Sequence, residues 1–356
     1  MRVLSNEDVE QLLTMPECID ALEEMFRDYA AGQTLLVPRV DNISPSVEPG
    51  AYYGFKQMGG AWPRKRVHAL RINSDVITHP IVAGKMRRVK EPRANGRWVG
   101  LVFLFSSETG ALLGAFPDGV MQRMRVGAVN GIALKHLARK NARKLALIGS
   151  GWQAGGQLMA ALAVHPFQRV DVFSPRPESR QAFVKEARAR HADVEIREAA
   201  SAGECVAGAD VIMAATSSMQ PVLEPSWLKP GVHLSCVKTQ EVDQALLDGC
   251  DHVVLHVAAP SKQDNNIMPG TPNVTAAQKE GWWKDARNRG AYADLADLVA
   301  GRAAGRGGDG QITCFVNNIG TGLQFAACGA LVLDKARAAA LGHELPDEWF
   351  SETVHP

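Results

Sequence analysis

The chain has 356 residues, of which 46% are hydrophobic and 22% charged. These values are typical of an ordinary folded protein, and the length predicts one large domain or two medium ones, because single cores rarely exceed about 250 residues. The net charge of +1 lacks the basic excess of nucleic-acid-binding proteins. No apolar run approaches the ~20 residues that cross a bilayer, and the N-terminus carries acids where a signal peptide is hydrophobic. We therefore expect a cytoplasmic protein without a nucleic-acid or membrane partner.

The six cysteines and ten histidines are scattered along the chain. A zinc site or a disulfide framework needs close and regular spacing, such as C-x-x-C, which this sequence lacks. His252 and His256 would share one face of a strand, but no third ligand accompanies them. We expect buried free thiols and no metal.

The first part of the chain predicts two helices followed by a mainly antiparallel sheet. Apolar residues recur at helical spacing over residues 5–29, with Ser5 as a candidate N-cap and Pro16 in the first turn of the second helix. Short apolar runs over residues 35–116 are separated by Pro and Gly clusters, a pattern typical of strands and turns. The charged run at residues 85–97 predicts a solvated hairpin tip or loop, with a basic docking patch as the alternative.

The second part of the chain alternates strands and helices. Residues 122–137 predict a long helix, and apolar runs then alternate with helical segments from residue 144 to about 255. Such alternation is typical of a parallel sheet covered on both faces. A strand with a turn at residues 311–320 and a last helix at residues 322–341 complete the chain. The predicted fold is α/β, with a parallel-sheet domain (residues 126–310) inserted in an α+β domain (residues 1–125 and 311–356).

A glycine-rich turn lies at the start of the parallel-sheet region. Residues 149–154 read G-S-G-W-Q-A, a G-x-G-x-x-A motif between an apolar strand and a helix. In this context the motif is typical of a Rossmann-type dinucleotide-binding domain: Gly149 permits the tight turn, Gly151 admits the pyrophosphate and Ala154 allows close packing. The helix N-terminus would supply amides to the phosphates. The candidate cofactor-binding residues here are Gly149, Ser150, Gly151, Trp152, Gln153 and Ala154.

The loop after the second predicted parallel strand bears on the choice of cofactor. NAD-binding domains usually place an acid there for the ribose 2′-hydroxyl, whereas this loop offers Ser174, Arg176 and Arg180. A hydroxyl and two guanidiniums suit a 2′-phosphate, so we expect NADP(H) rather than NAD(H). Glu178 in the same loop keeps NAD(H) as the alternative, and Arg180 could equally be a helix-surface residue.

The region around the glycine-rich turn resembles the signature of the ornithine cyclodeaminase/μ-crystallin family. It reads MRVGAVNGIALKHLARKNARKLALIGSGWQAGGQ, an Arg and small residues on a helix that lead into G-x-G-x-Q-A-x-x-Q. The resemblance extends from the N-terminal helices through VPRV to QITCFVNNIGTGLQF. It implies a homodimer, each subunit joining a substrate-binding and dimerisation domain from both termini to a central Rossmann domain. The implied chemistry is ornithine cyclodeamination with NAD, NAD(P)H-linked reduction of imines of 2-oxo acids, opine-like condensation or amino-acid dehydrogenation.

The resemblance assigns roles to individual residues. Arg39, in VPRV, and Arg125, before the glycine-rich turn, match family arginines that bind the substrate carboxylate. Two planar guanidiniums can hold one carboxylate and orient the α-carbon; a structural ion pair is the alternative for each. Thr216 and Asn318 match positions near the cofactor, with a plain turn role as the alternative for Asn318.

Three departures from the family pattern argue against ornithine as the substrate. The position of the family's catalytic lysine is best matched by Arg71, with Lys56 as a second candidate, and an arginine is a poor proton shuttle. The loop after the fifth parallel strand carries an Asp in ornithine cyclodeaminases, but residues 238–240 contain none. Phe325 replaces an Asp that often follows the C-terminal glycine turn.

Together these observations predict an NAD(P)-dependent oxidoreductase that transfers hydride to or from the imine or amine carbon of a small amino or 2-imino acid. The candidate substrate-binding residues are Arg39, Arg71, Arg125 and Lys56, and the candidate catalytic residues are Arg71, Arg125 and Glu241. The proton donor is open between Glu241, His68 and water. The alternatives are a cyclodeaminase-type lyase that releases ammonia with NAD recycling, and a non-catalytic protein that binds NADPH and a small ligand.

Overall fold

The computed structural model describes residues 1–258, 264–272 and 292–354. Within these ranges, no helix has the length and apolarity of a membrane span. The helices are α1 (Asn6–Leu12), α2 (Met15–Ala30), α3 (Gly119–Leu137), α4 (Trp152–Val164), α5 (Pro177–Arg190), α6 (Ala202–Val206), α7 (Gln244–Asp248), α8 (Leu295–Val299) and α9 (Gly322–Ala338). Short 3-10 helices cover Pro63–Lys65, Pro225–Trp227, Thr239–Glu241 and Asp347–Phe350.

The strands belong mostly to two sheets. In chain order they are β1 (Arg2–Val3), β2 (Leu35–Pro45), β3 (Tyr52–Trp62), β4 (Val67–Thr78), β5 (Ile81–Val82), β6 (Lys85–Met86), β7 (Val89–Glu91), β8 (Val99–Ser106), β9 (Leu112–Pro117), β10 (Lys144–Ile148), β11 (Arg169–Phe173), β12 (Glu195–Glu198), β13 (Val211–Ala214), β14 (His233–Cys236), β15 (His252–Leu255), β16 (Asp264–Ile267), β17 (Ala293–Asp294), β18 (Thr313–Val316) and β19 (His343–Glu344).

The first sheet is built around an antiparallel meander of β2, β3, β4, β8 and β9. Its strand order is β16-β2-β3-β4-β8-β9-β1-β19, with β7 paired to β4. Burial alternates strictly along β4, so that one face is buried and the other is half-exposed. Helix α9 packs against β3 and β4 and also contacts α2. The predicted antiparallel region is confirmed.

The second sheet is parallel, with the order β12-β11-β10-β13-β14-β18-β15-β17. Apolar clusters cover both of its faces, which is why β10 and β13 are almost entirely apolar in sequence. The predicted Rossmann-type sheet inside an α+β chain is confirmed. Strand β18 pairs with β14 and β15, so the sheet extends to residue 316, beyond the boundary that the sequence suggested at residue 310.

Residues 85–91 do not form the solvated loop that their charge predicts. They contain β6 and β7, and the chain between these strands docks on the loop that follows β13. Arg87 forms an isolated β-bridge with Ser218, the Arg88 amide donates to the Ser217 carbonyl at 3.1 Å, and the Met219 amide donates to the Met86 carbonyl at 3.0 Å. The prediction is wrong for residues 85–91, because charge alone does not distinguish side chains that face water from side chains that line a polar cavity. Residues 92–97 are exposed and form a turn region, as predicted.

Candidate cofactor and substrate site

A cavity of about 1560 Å³ lies between the two domains. The loops that follow β10, β11, β13 and β14 line one side of it, and residues from β2 and from the segment around β6 and β7 line the other. The strand order of the parallel sheet reverses beside β10. Ligands of open α/β sheets bind at this position, outside the carboxyl ends of the strands.

The glycine-rich turn after β10 opens into this cavity. Gly149 has φ +128°, and a Cβ there would lie 2.2 Å from the Ala215 carbonyl oxygen, so the turn requires glycine. Gly151 is the N-cap of α4, no side chain caps this helix, and the space around its Cα is open. The buried Oε1 atom of Gln153 has no hydrogen-bond partner in the described structure. Free first-turn amides at a cavity suit a dinucleotide pyrophosphate.

The other residues of the motif hold the turn in place. The Ser150 hydroxyl donates to the Ser174 hydroxyl at 2.8 Å and so joins the loops after β10 and β11. The Trp152 indole lines the cavity, donates to the Gly119 carbonyl at 3.1 Å and lies 3.8 Å from the Arg123 guanidinium. Ala154 is fully buried behind the turn.

The two arginines that follow β11 have different positions relative to the cavity. Arg176 lines the cavity and has no ion pair in the described part of the chain. Arg180 instead donates to the Ser174 carbonyl at 2.9 Å and to Glu198 at 3.3 Å, outside the cavity lining. Glu178 is exposed and does not line the cavity. The loop therefore offers a guanidinium and the Ser174 side chain, without a carboxylate, to a bound ribose.

The two arginines expected to bind carboxylate line the same cavity. Arg125 is buried, donates to the Gln324 Oε1 atom at 2.9 Å and keeps a buried Nε without a partner among the described residues. Burial lowers the pKa of Arg125 to about 9, and the nearby Arg71 guanidinium acts in the same direction, so the group stays protonated at neutral pH. Arg39 donates from Nε and Nη2 to the Asp41 carboxylate, both at 2.7 Å. Part of its fork is therefore occupied within the protein.

Arg71 and Glu241 lie behind the cavity wall instead of lining it. Arg71 donates to Asp118 Oδ2 from Nε at 2.8 Å and from Nη2 at 2.5 Å. The fully buried Glu241 carboxylate accepts the Thr216 amide at 2.6 Å and the Val237 amide at 2.9 Å. These two bonds tie the loop after β13 to the loop after β14. In the structure both side chains position neighbouring elements.

Two lysines share one buried carboxylate beside the cavity. Lys56 Nζ lies 3.1 Å and Lys90 Nζ 2.9 Å from the same oxygen of Asp75. Lys56 is almost fully buried, whereas Lys90 lines the cavity. Burial lowers the pKa of Lys56 well below its ordinary value and also lowers the pKa of Lys90. Asp75 and Lys90 were not predicted from the sequence, although the period of two in HALRINSD puts Arg71 and Asp75 on one face of the strand.

The remaining predicted residues have mixed placements. Thr216 lines the cavity, and its amide is the donor to Glu241. Asn318 also lines the cavity, but its side chain forms two hydrogen bonds, at 3.1 and 2.8 Å, with the Val257 backbone and so holds its own turn. His68 lies on the face of β4 opposite Arg71 and does not line the cavity.

The charge of the cavity wall is strongly unbalanced. Two acidic residues, Asp41 and Glu224, line it together with eight basic ones. Four of the basic residues lie at positions 85–90, a segment whose charge predicts exposure to solvent. The basic residues are Arg39, Lys85, Arg87, Arg88, Lys90, Arg125, Arg176 and Lys238.

The open helix N-terminus and the glycine turn are features of a dinucleotide-binding domain. The buried, charged Arg125 lines the same cavity. A sequence model of the ornithine cyclodeaminase/mu-crystallin family matches residues 73–339. The chain belongs to this family, as its resemblance predicted.

Similar proteins span almost the whole chain. An alanine dehydrogenase of Archaeoglobus fulgidus is 27% identical over 352 residues, covering 96% of this chain and 97% of the relative. An iminosuccinate reductase of Paracoccus denitrificans is 27% identical over 362 residues, covering 97% and 99%. The structure of Thermococcus litoralis Δ1-pyrroline-2-carboxylate reductase, in complex with NADH and L-proline, is similar with a TM-score of 0.78 at 23% identity, covering 97% of this chain and 100% of that one.

We expect Glu241→Gln to lower the free energy of unfolding by about 1–3 kcal/mol, because an amide nitrogen cannot accept the backbone N–H that the carboxylate oxygen accepts. Denaturant titration followed by circular dichroism measures this change. The matched control is Glu186→Gln, on the exposed surface of α5, which should keep wild-type stability. Wild-type stability in the Glu241 variant would show that this carboxylate does not hold the two loops together.

Proposed function

We propose that this protein is an NAD(P)-dependent oxidoreductase that transfers hydride to or from the nitrogen-bearing carbon of a small amino or 2-imino acid. The observation that carries the proposal is the shared cavity, which brings the open N-terminus of α4 and the Arg125 guanidinium together. The alanine dehydrogenase, iminosuccinate reductase and pyrroline-carboxylate reductase relatives are named for reactions of this type. The nicotinamide supplies or accepts the hydride when bound.

The protein's own residues orient the two reactants in this proposal. Residues 149–153 bind the cofactor phosphates through backbone amides. Arg125 and Arg39 bind the α-carboxylate, with Arg125 using its free Nε and Arg39 the part of its fork that Asp41 does not occupy. Holding the acid beside the cofactor removes much of the entropic barrier to reaction.

The lysine pair on Asp75 supports a route for the proton at the substrate nitrogen. Lys90 lines the cavity, and Lys56 lies behind it on the same carboxylate oxygen. A lysine whose pKa burial lowers gives up its proton more readily than an ordinary lysine. We therefore assign the proton to Lys90, with Asp75 and Lys56 positioning its ammonium.

NADP(H) as the preferred cofactor rests on Arg176 and on a second arginine across the cavity. Arg87 is buried in the opposite wall and has no ion pair in the ranges that the structure describes. Burial lowers the pKa of Arg87, and the proximity of Arg176 lowers it further. Two guanidiniums near each other, with Glu178 outside the cavity lining, suit a 2′-phosphate.

A homodimer is supported by the outer face of the antiparallel sheet. Leu70 and Ile72 on β4 pair with Phe103 and Leu101 on β8, and all four side chains are half-exposed on the face opposite α9. A contiguous apolar sheet face of this kind is a common subunit interface. We propose that a second copy of the chain covers it.

The central experiment measures NADPH oxidation with a panel of 2-oxo acids and amines and with cyclic 2-imino acids. Wild-type protein should turn over at least one pair. Arg125→Lys should lower kcat/KM by about 10- to 100-fold, because a single ammonium replaces the planar fork, with little change in the dissociation constant of NADPH. Absence of turnover with every pair, or unchanged kcat/KM in the variant, would contradict the proposal. Ammonia release from ornithine without net NAD(P)H change would indicate the lyase alternative.

Arg176→Ala should raise the KM for NADPH about tenfold, since it removes a charge-assisted contact to the phosphate, and should leave the KM for NADH nearly unchanged. Steady-state kinetics with each cofactor measures the difference. Arg190→Ala on α5, whose arginine pairs with Glu186 on the surface, is the matched control. Equal effects on both cofactors, or none, would exclude Arg176 as the residue that selects NADP(H).

Ile72→Asp should convert the dimer to a monomer, because a carboxylate at the centre of an apolar interface leaves a buried charge without a partner. Light scattering coupled to size-exclusion chromatography measures the mass. Lys65→Asp, on an exposed turn beyond the end of β3, is the control and should keep the wild-type mass. A monomeric wild-type protein would refute the interface directly.

A further inference from the structure

The segment at residues 85–90, here called the bridging segment, connects the two domains across the cavity. Its backbone is fixed by the Arg87–Ser218 bridge and by the hydrogen bonds of Met86 and Arg88 to the loop after β13. Lys85 Nζ adds a bond of 3.0 Å to the Pro221 carbonyl. Successive side chains of an extended segment point in opposite directions. The side chains of Arg87 and Arg88 therefore point toward different parts of the cavity.

Electrostatic neighbours indicate these two directions. Arg87 interacts with Arg176, at the end proposed to bind the cofactor 2′-phosphate. Arg88 interacts with Lys56, and its Nε donates to the Tyr52 hydroxyl at 3.3 Å, on the side of the antiparallel sheet. Arg88 thus belongs to the substrate end of the cavity.

Lys238 belongs to the Rossmann domain and lies near enough to Arg88 for the two positive charges to repel each other. It follows β14 and lines the cavity, is half-buried, and its ammonium has no hydrogen bond or ion pair among the residues described. Burial lowers the pKa of Lys238 to about 8 against the opposing effect of Glu241, and Arg88 and Arg87 lower it further. The Glu241 carboxylate favours the charged ammonium, but the pKa of Lys238 stays lowered, so this carboxylate compensates the charge only in part.

Arg88 and Lys238 are not needed for the groups already assigned. The α-carboxylate has Arg39 and Arg125, the pyrophosphate has the amides of α4, and the 2′-phosphate has Arg87 and Arg176. Arg88 has no carboxylate partner among the described residues, and Glu241 compensates Lys238 only in part. Two such neighbouring cations are unfavourable in a partly buried wall unless an anion binds between them. An uncharged substrate side chain would leave this cost in place.

We propose that the substrate is an amino or 2-imino diacid, and that Arg88 and Lys238 bind its second acidic group. This inference rests on the proposed oxidoreductase function and makes the substrate class specific. The second carboxylate is held from both domains, by Arg88 on the bridging segment and by Lys238 after β14. The two residues determine specificity and take no part in hydride transfer.

The test compares 2-oxo diacids with 2-oxo monoacids of equal chain length, each with ammonium and NADPH: oxaloacetate against 2-oxobutyrate, and 2-oxoglutarate against 2-oxopentanoate. Wild-type protein should favour a diacid in kcat/KM by about tenfold or more, the scale of one charge-assisted contact. Lys238→Met should reduce this diacid-to-monoacid ratio about tenfold, and Lys238→Glu should reduce it further by repulsion. Arg88→Gln, which keeps the backbone bond to Ser217, should reduce the same ratio. Lys185→Met, on the exposed face of α5, should not.

Turnover that favours monoacids, or a ratio unchanged in both Lys238 variants and in Arg88→Gln, overturns the inference and leaves the oxidoreductase function standing. A change in the NADPH-to-NADH preference of Lys238→Met would assign the lysine to the cofactor phosphate and also overturn it. If no pair is turned over, the proposed function fails, and calorimetry on NADP⁺-saturated protein decides the inference. Tighter, Lys238-dependent binding of L-aspartate or L-glutamate than of L-alanine supports it, and equal affinity overturns it.

Discussion

The structure depends on an excess of positive charge in the cavity between its two domains. Eight basic and two acidic residues line the cavity, and neighbouring cations lower each other's pKa. Burial brings the pKa of Arg125 to about 9 and that of Lys238 to about 8, and adjacent guanidiniums add to both effects. Each lowered pKa is a free-energy cost of holding the charged form in the protein alone. An anion bound in the cavity offsets that free-energy cost, because it favours the charged forms of these side chains. The excess of positive charge therefore favours the binding of acids and phosphates.

Three buried acids of this region lie behind the wall and act on its geometry. Asp118 holds Arg71, Asp75 holds Lys56 and Lys90, and Glu241 joins two loops through backbone amides. Each of these carboxylates is buried and hydrogen-bonded, as a buried charge must be. Of the two acids that do line the cavity, Asp41 is paired with Arg39. The fold therefore keeps these three carboxylates away from the ligands and leaves an excess of cations in the cavity wall.

Much of the fold was predictable because its signals are local. The G-S-G-W-Q-A turn, the alternation of apolar strands and helices, and the Pro and Gly clusters between the early strands each constrain a few neighbouring residues. The roles of Arg71, Glu241 and Arg180 depend on which way each side chain points, and that follows from strand register and from partners distant in sequence, such as Asp118 and Thr216. The position of residues 85–90 also depends on partners that are distant in sequence. Their composition is that of a solvated loop, and only the pairing with Ser217 and Ser218 shows that they face a cavity.

The bridging segment connects charged side chains that belong to the two domains. Arg87 and Arg88 are consecutive, so a displacement of the backbone at Ser217 and Ser218 moves both guanidiniums together. The Glu241 carboxylate connects the same loop to the one that carries Lys238. The bridging segment, whose backbone is hydrogen-bonded to the loop after β13, therefore fixes where Arg87 and Arg88 lie before any ligand binds. This pre-organisation lowers the entropic cost of binding an anion at either end of the cavity.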